Sequence, residues 1–152
     1  MTEDYRLLIT GTRQLDQAGR KLVIERLVEH LEVARSTGRR LVVVQGCCPS
    51  GADKEAREWG WMMQRAGEPV AVEGHHPTKH PTEDFGWWPE CGPRRNRYMV
   101  GLGADACEAF IDTCKTINCR RPGIHASHGA SGCADLAEAA KIPTVRWDLW
   151  KT

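Results

Sequence analysis

Short apolar runs alternate with longer amphipathic stretches along the whole chain. YRLLIT (5–10) is apolar and closed at once by Gly11, the mark of a buried strand. From about Asp16 to Ser36 the spacing changes. Val23, Leu27, Leu31 and Ala34 recur at helical intervals, and Gly38 supplies a stop. LVVVQ (41–45) is β-branched on both faces, as a central parallel strand requires, and ends at Gly46. A second helix is predicted from near Ala52, with Ala56, Trp59, Met63 and Ala66 toward the sheet and Gly67 at its end. PVAVE (69–73) reads as a shorter strand, and residues 74–93 show neither period. PRRNRYMVGLG then reads as a short helix and DACEAFID (105–112) as a fourth strand. A loop rich in Cys, Arg and His fills 113–129, a helix covers about 131–141, and IPTVRW (142–147) is the last strand.

Strands alternating with helices predict right-handed crossovers. The fold class is α/β: a Rossmann-like open parallel sheet of about five strands with helices on both faces. No repeat or linker divides residues 1–152, so a single domain is expected, long enough to bury a core. The loops at 74–93 and 113–129 exceed ordinary α/β connections, and such loops are usually functional.

Nowhere does an apolar run approach the ~20 residues that span a bilayer, and no signal-peptide series follows the polar MTED start. The expectation is a cytoplasmic protein with no membrane partner. Seven cysteines, an odd number without an export signal, point to reduced thiols rather than a disulfide framework. With 21 basic against 20 acidic residues the net charge is +1, which supplies no global field for nucleic acid. Nucleic acid is therefore not an expected partner, and any anion site must be local.

Three strand ends share one chemical logic. In ITGTR (9–13) Gly11 permits a tight turn beside Arg13, whose guanidinium can grip a phosphate. A plain structural turn is the alternative. In QGCCPSGADKEA (45–56) Gly46 and Gly51 flank a turn, and Ser50 and Asp53 open the helix. Either can be a simple N-cap, while Asp53 could also accept from ribose hydroxyls. In SHGASGCADLAEAA (127–140) Gly129 and Gly132 bracket the residues before a helix, where amides meet the positive end of the helix dipole. His128 and Ser131 would add donors. GPRRNRYMV (92–100) brings Arg94, Arg95 and Asn96 toward the same sheet edge, where open α/β sheets bind ligands.

The ordered set ITGTR, QGCCPSGADKEAREW, GPRRNRYMV and SHGASGCADLAEAAKIPTV resembles the YspA branch of the SLOG superfamily, which includes the LOG phosphoribohydrolases and DprA-type proteins. The likeness runs from about residue 6 to 147. It implies a Rossmann-like fold and a pocket for a nucleotide or nucleotide-derived ligand. The implied contacts are Gly11, Arg13, Gly46, Gly51, Asp53, Arg94, Arg95, Asn96, Gly129, Ser131 and Gly132. LOG enzymes carry PGGxGTxxE in the last glycine turn, whereas this chain has HGASGCADLAE, with Asp135 where the acid would fall. That departure weakens the hydrolase inference and leaves the fold inference intact.

The leading expectation is thus a phosphoribosyl- or ADP-ribose-like ligand held by a sensor or sequestering module. The alternative is an N-glycosidase-type nucleotide hydrolase, with Asp53, Asp135 and Glu138 as candidate acids. Single-stranded nucleic-acid binding ranks lowest. A homodimer is plausible from the LOG relatives. Cys114, Cys119, His125 and His128 are chemically sufficient for a structural zinc. Reduced cysteines beside an anion-binding His128 are the alternative. Cys47 and Cys48 would be reactive if the helix terminus lowered a thiol pKa. Trp87 and Trp88 either stack on a base or pack their loop onto the sheet.

Overall fold

The computed structural model describes residues 3–117 and 119–150. Met1 and Thr2 of the polar start, Asn118 of the Cys-rich loop, and residues 151–152 lie outside the described residues. The chain runs β1 (Tyr5–Gly11), α1 (Gln17–Ser36), β2 (Leu41–Gln45), α2 (Gly51–Arg65) and β3 (Val70–Gly74). It continues through α3 (Cys91–Gly101), β4 (Ala106–Ile111), α4 (His128–Ala139) and β5 (Thr144–Asp148). The five strands form one parallel sheet in the order β3-β2-β1-β4-β5. This is the Rossmann-like α/β fold that the alternating pattern predicts.

Strand periodicity decides which residues meet which helices. Tyr5, Leu7, Ile9, Leu41 and Val43 face one way and join Val23, Leu27 and Leu31 of α1 with Ala52, Ala56 and Trp59 of α2. Leu8, Val42, Val44 and Cys107 face the other way, against Met99 and Val100 of α3 and Cys133 and Ala137 of α4. Each fully buried Leu or Val contributes roughly 1.5–3 kcal/mol relative to exposure, so the two layers dominate the favourable side of folding. Asp16 caps α1 by accepting from the Gly19 amide at 2.7 Å. No helix among the described residues is long and apolar enough to cross a membrane.

A charged side chain interrupts the core on β4. Glu108 on β4 is 1% exposed. Its carboxylate accepts from Arg26 Nε at 2.9 Å and Trp147 Nε1 at 2.7 Å, and meets His30 Nε2 at 2.9 Å. Tyr5 Oη lies 2.9 Å from the other ring nitrogen of His30. Burial alone would raise the Glu108 pKa, but bonds from His30, Arg26 and Trp147 outweigh it and hold the group down at about 2.

The main departure from the sequence expectation is α4, which starts at His128 rather than near residue 131. Gly129 and Gly132 therefore lie inside the first turns of the helix instead of in a loop before it. A glycine pair reads as a breaker, yet helical backbone is open to glycine at about 1 kcal/mol per residue. Ala130, Cys133, Ala134 and Ala137 supply the buried face that offsets this.

Candidate functional site

The strand order reverses between β1 and β4: the chain moves outward through β2 and β3, then returns to lay β4 on the other side of β1. A crevice forms beyond the carboxyl ends of strands at such a switch point. Here it is a groove of two adjoining lobes, 470 Å³ and 650 Å³. Arg13, Gly46, Trp88, Arg95, Asn96, His128 and Gly129 border both lobes. Gly11 and Asp53 border the first, and Gly132 the second.

The second glycine turn is built tightly. Asp53 is 7% exposed, and its Oδ2 accepts from the amides of Gly46 and Cys48, each at 3.2 Å. Burial pushes its carboxyl above the ordinary range, only partly offset by those amides and by Arg95 and Arg57. Its acceptor capacity is thus directed at the turn. Arg95 Nη1 donates to the carbonyl oxygens of Gly46 at 2.5 Å and His75 at 3.2 Å, and its Nε donates to Asn96 Oδ1 at 2.8 Å. Only a glycine at 46 leaves space for that guanidinium, since a Cβ there would stand 2.5 Å from Nη1. Cys47 sits at φ 63°, and burial raises its thiol pKa, so the helix terminus does not activate it.

The remaining expected residues fall elsewhere. Gly51 (φ 76°) abuts the chain itself, with the Ala52 amide donating to Thr12 O at 3.0 Å. Ser50 and Gly51 border a separate depression shared with the start of α1. Arg94 Nη1 donates to Phe85 O at 3.2 Å, and Ser131 Oγ donates to Ser127 O at 2.7 Å. Asp135 and Glu138 both pair with Arg146 on the outer side of α4 and do not border the groove.

The long loop before α3 is anchored by Phe85, which is buried, and by stacked His75 and His80 against Tyr98. That anchoring leaves Trp87 88% exposed and Trp88 66% exposed. The Arg13 guanidinium lies 5.7 Å from the Trp88 ring centroid, so the two meet across the groove. Four cationic side chains, Arg13, Arg95, Arg97 and Lys115, border the groove against the single carboxylate of Asp53. Sequence reasoning missed Arg97 and Lys115. The helical spacing of Arg97 from the PRRN run was a usable signal; Lys115, in an irregular loop, carried none.

Beside the groove, Cys114, Cys119, His125 and His128 bring their ligand atoms within 4.8 Å of one another, a cluster that could hold a metal. Hydrogen bonding to Thr116 draws the Cys114 thiol down to about 7.

No family model matches the chain. Among solved structures it is similar to DNA processing protein A from Helicobacter pylori, with a TM-score of 0.60 and 18% identity over 93% of this chain. It spans 64% of the length of that chain. At this identity the likeness establishes the DprA-type Rossmann-like fold. The neighbour is described by its single-stranded DNA binding mode. That finding overturns two expectations: a small nucleotide-type ligand, and nucleic acid as a partner not to be expected. Net charge averages over the whole surface and does not report the four cationic side chains gathered at the groove. At the sequence level the chain is 32% identical over 143 residues to the Gene 61 protein of Mycobacterium phage D29, covering 93% of this chain and 95% of the relative. The chain belongs to the family of that phage protein.

Proposed function

We propose that the chain binds single-stranded nucleic acid along the groove at the carboxyl edge of the sheet. The carrying observation is the pairing of an exposed indole with cations: Trp88 borders the groove together with Arg13, Arg95, Arg97 and Lys115. Single strands are held by such combinations, with cations tracking phosphates and aromatic faces stacking bases regardless of sequence. The first-turn amides of α4 at 128–130 add donors suited to a phosphate. The DprA-type neighbour supports the assignment of ligand class. The motifs ITGTR, GADKEA, PRRN and HGASG support membership of the YspA branch of the SLOG superfamily, with residues 1–152 as one domain of that kind.

Fluorescence anisotropy with a labelled oligothymidylate tests the reading. Four phosphate contacts give a log–log salt slope of about −3, and Arg13→Ala reduces its magnitude by about 0.7. Trp88→Ala weakens binding by about tenfold or more, the measured scale for one stacked base. Equal affinity of wild type and both variants, with unchanged circular dichroism, would sink the assignment.

A further inference from the structure

We propose that Cys114, Cys119, His125 and His128 form a tetrahedral zinc site that pins the 113–127 loop to the first residue of α4. Thr113 and Ala126 form an antiparallel bridge, the Cys114 amide donates to His125 O at 2.8 Å, and the Ser127 amide donates to Asp112 O at 2.8 Å. This neck delivers Cys114 and His125 side by side, while His128 arrives from the helix start and Cys119 from the loop beyond.

The three distances among Cys119, His125 and His128 are close to those of ligands around an ion, and Cys114 lies within 4.8 Å of each of them. Zinc bonds of about 2.3 Å to sulfur and 2.0–2.1 Å to nitrogen give tetrahedral edges of about 3.5–3.6 Å for S···N and about 3.3–3.4 Å for N···N. Here Cys119 Sγ lies 3.5 Å from His125 Nε2 and 3.6 Å from His128 Nε2, and the two Nε2 atoms are 3.1 Å apart. His125 Nδ1 lies 2.9 Å from Gly123 O. A donor N–H there leaves Nε2 as the lone-pair atom facing the cluster, the second-sphere arrangement that orients metal-bound histidines. Two thiols with two imidazoles are a soft, four-coordinate set suited to zinc, with no position left for water. The loop otherwise has little to hold it, since Ile117 and Ile124 are both exposed. In this arrangement His128 serves the metal through Nε2 rather than an anion, and Lys115, next to a ligand, is held at the groove.

Zinc binding here requires no nucleic acid, so the test reads metal alone. Untagged protein purified without chelator is expected to carry about one zinc per chain by mass spectrometric metal analysis. Cobalt substitution should give the intense visible bands of tetrahedral coordination together with thiolate-to-metal charge transfer. Cys119→Ser and His125→Ala should lose the metal, while His80→Gln, in the other histidine cluster, keeps it. Should the variants misfold, the wild-type stoichiometry and cobalt spectrum still decide. Absence of zinc after equimolar supply, an octahedral spectrum, unchanged stoichiometry in the folded variants, or a Cys114–Cys119 disulfide in the purified protein would each overturn the proposal.

Discussion

Around the turn before α2, the glycines make room for the protein's own atoms. A Cβ on Gly51 would lie 1.9 Å from Thr12 O, one on Gly46 would meet the Arg95 guanidinium, and one on Gly11 would stand 2.7 Å from Ala52 Cβ. Around the start of α4 the opposite holds. Neither Gly129 nor Gly132 has any such neighbour within 4 Å, and both border the groove. Two segments of similar composition thus use absent side chains differently. One lets β1, β2 and α2 close on each other, and the other leaves a helix face bare beside a cationic groove.

That contrast can be broken by substitution. Gly51→Ala should be the most damaging. It combines a left-handed φ with a backbone clash, and a loss of about 3 kcal/mol is expected in urea denaturation. A loss below ~1 kcal/mol would show that the first turn is no tighter than the second.

Asp53 tests the same turn through its hydrogen bonds. Asp53→Ala leaves the Gly46 and Cys48 amides without their acceptor and should cost about 2 kcal/mol. Asp53→Asn retains an acceptor and removes a buried charge, so it should match or exceed wild-type stability at pH 7. The sign follows from linkage. The folded-state pKa is raised, so this group's contribution is complete below its unfolded value and is lost as pH rises through the folded one. The stability difference between wild type and Asp53→Asn should therefore shift in favour of wild type as pH falls from 7 to 4. A constant difference across that range would contradict the assigned burial effect.

Gly132→Ala carries the smallest expectation, and it has the reverse sign. With open space around the position, alanine should stabilise α4 by about 0.5–1 kcal/mol. Destabilisation would mean that the second turn is packed like the first. A stable variant with weakened oligothymidylate binding would sharpen the contrast, because the methyl group would then be obstructing a ligand and not the fold.

Much of this architecture was readable along the chain. The continuous β-branched run of LVVVQ and the helical recurrence of Val23, Leu27 and Leu31 report local geometry directly, and the element order followed from them. The Cys/His set was also visible, because all four residues lie close together along the chain, between 114 and 128. Glu108 was not. A lone acid in ACEAFI gives no sign of its partners, which lie 82, 78 and 39 residues away in Arg26, His30 and Trp147. Nor could PRRN say that Arg95 turns inward to Gly46 while Arg94 serves Phe85.

By itself, then, the sequence determined the succession of strands and helices, the parallel sheet, and which loops carry unusual chemistry, because those depend on neighbours along the chain. Only the tertiary structure decided that four cations border one groove of two lobes, that Trp88 faces Arg13, and which glycines are filled by protein. Those outcomes are set by long-range packing, where the distance between two groups in space is unrelated to their separation in sequence.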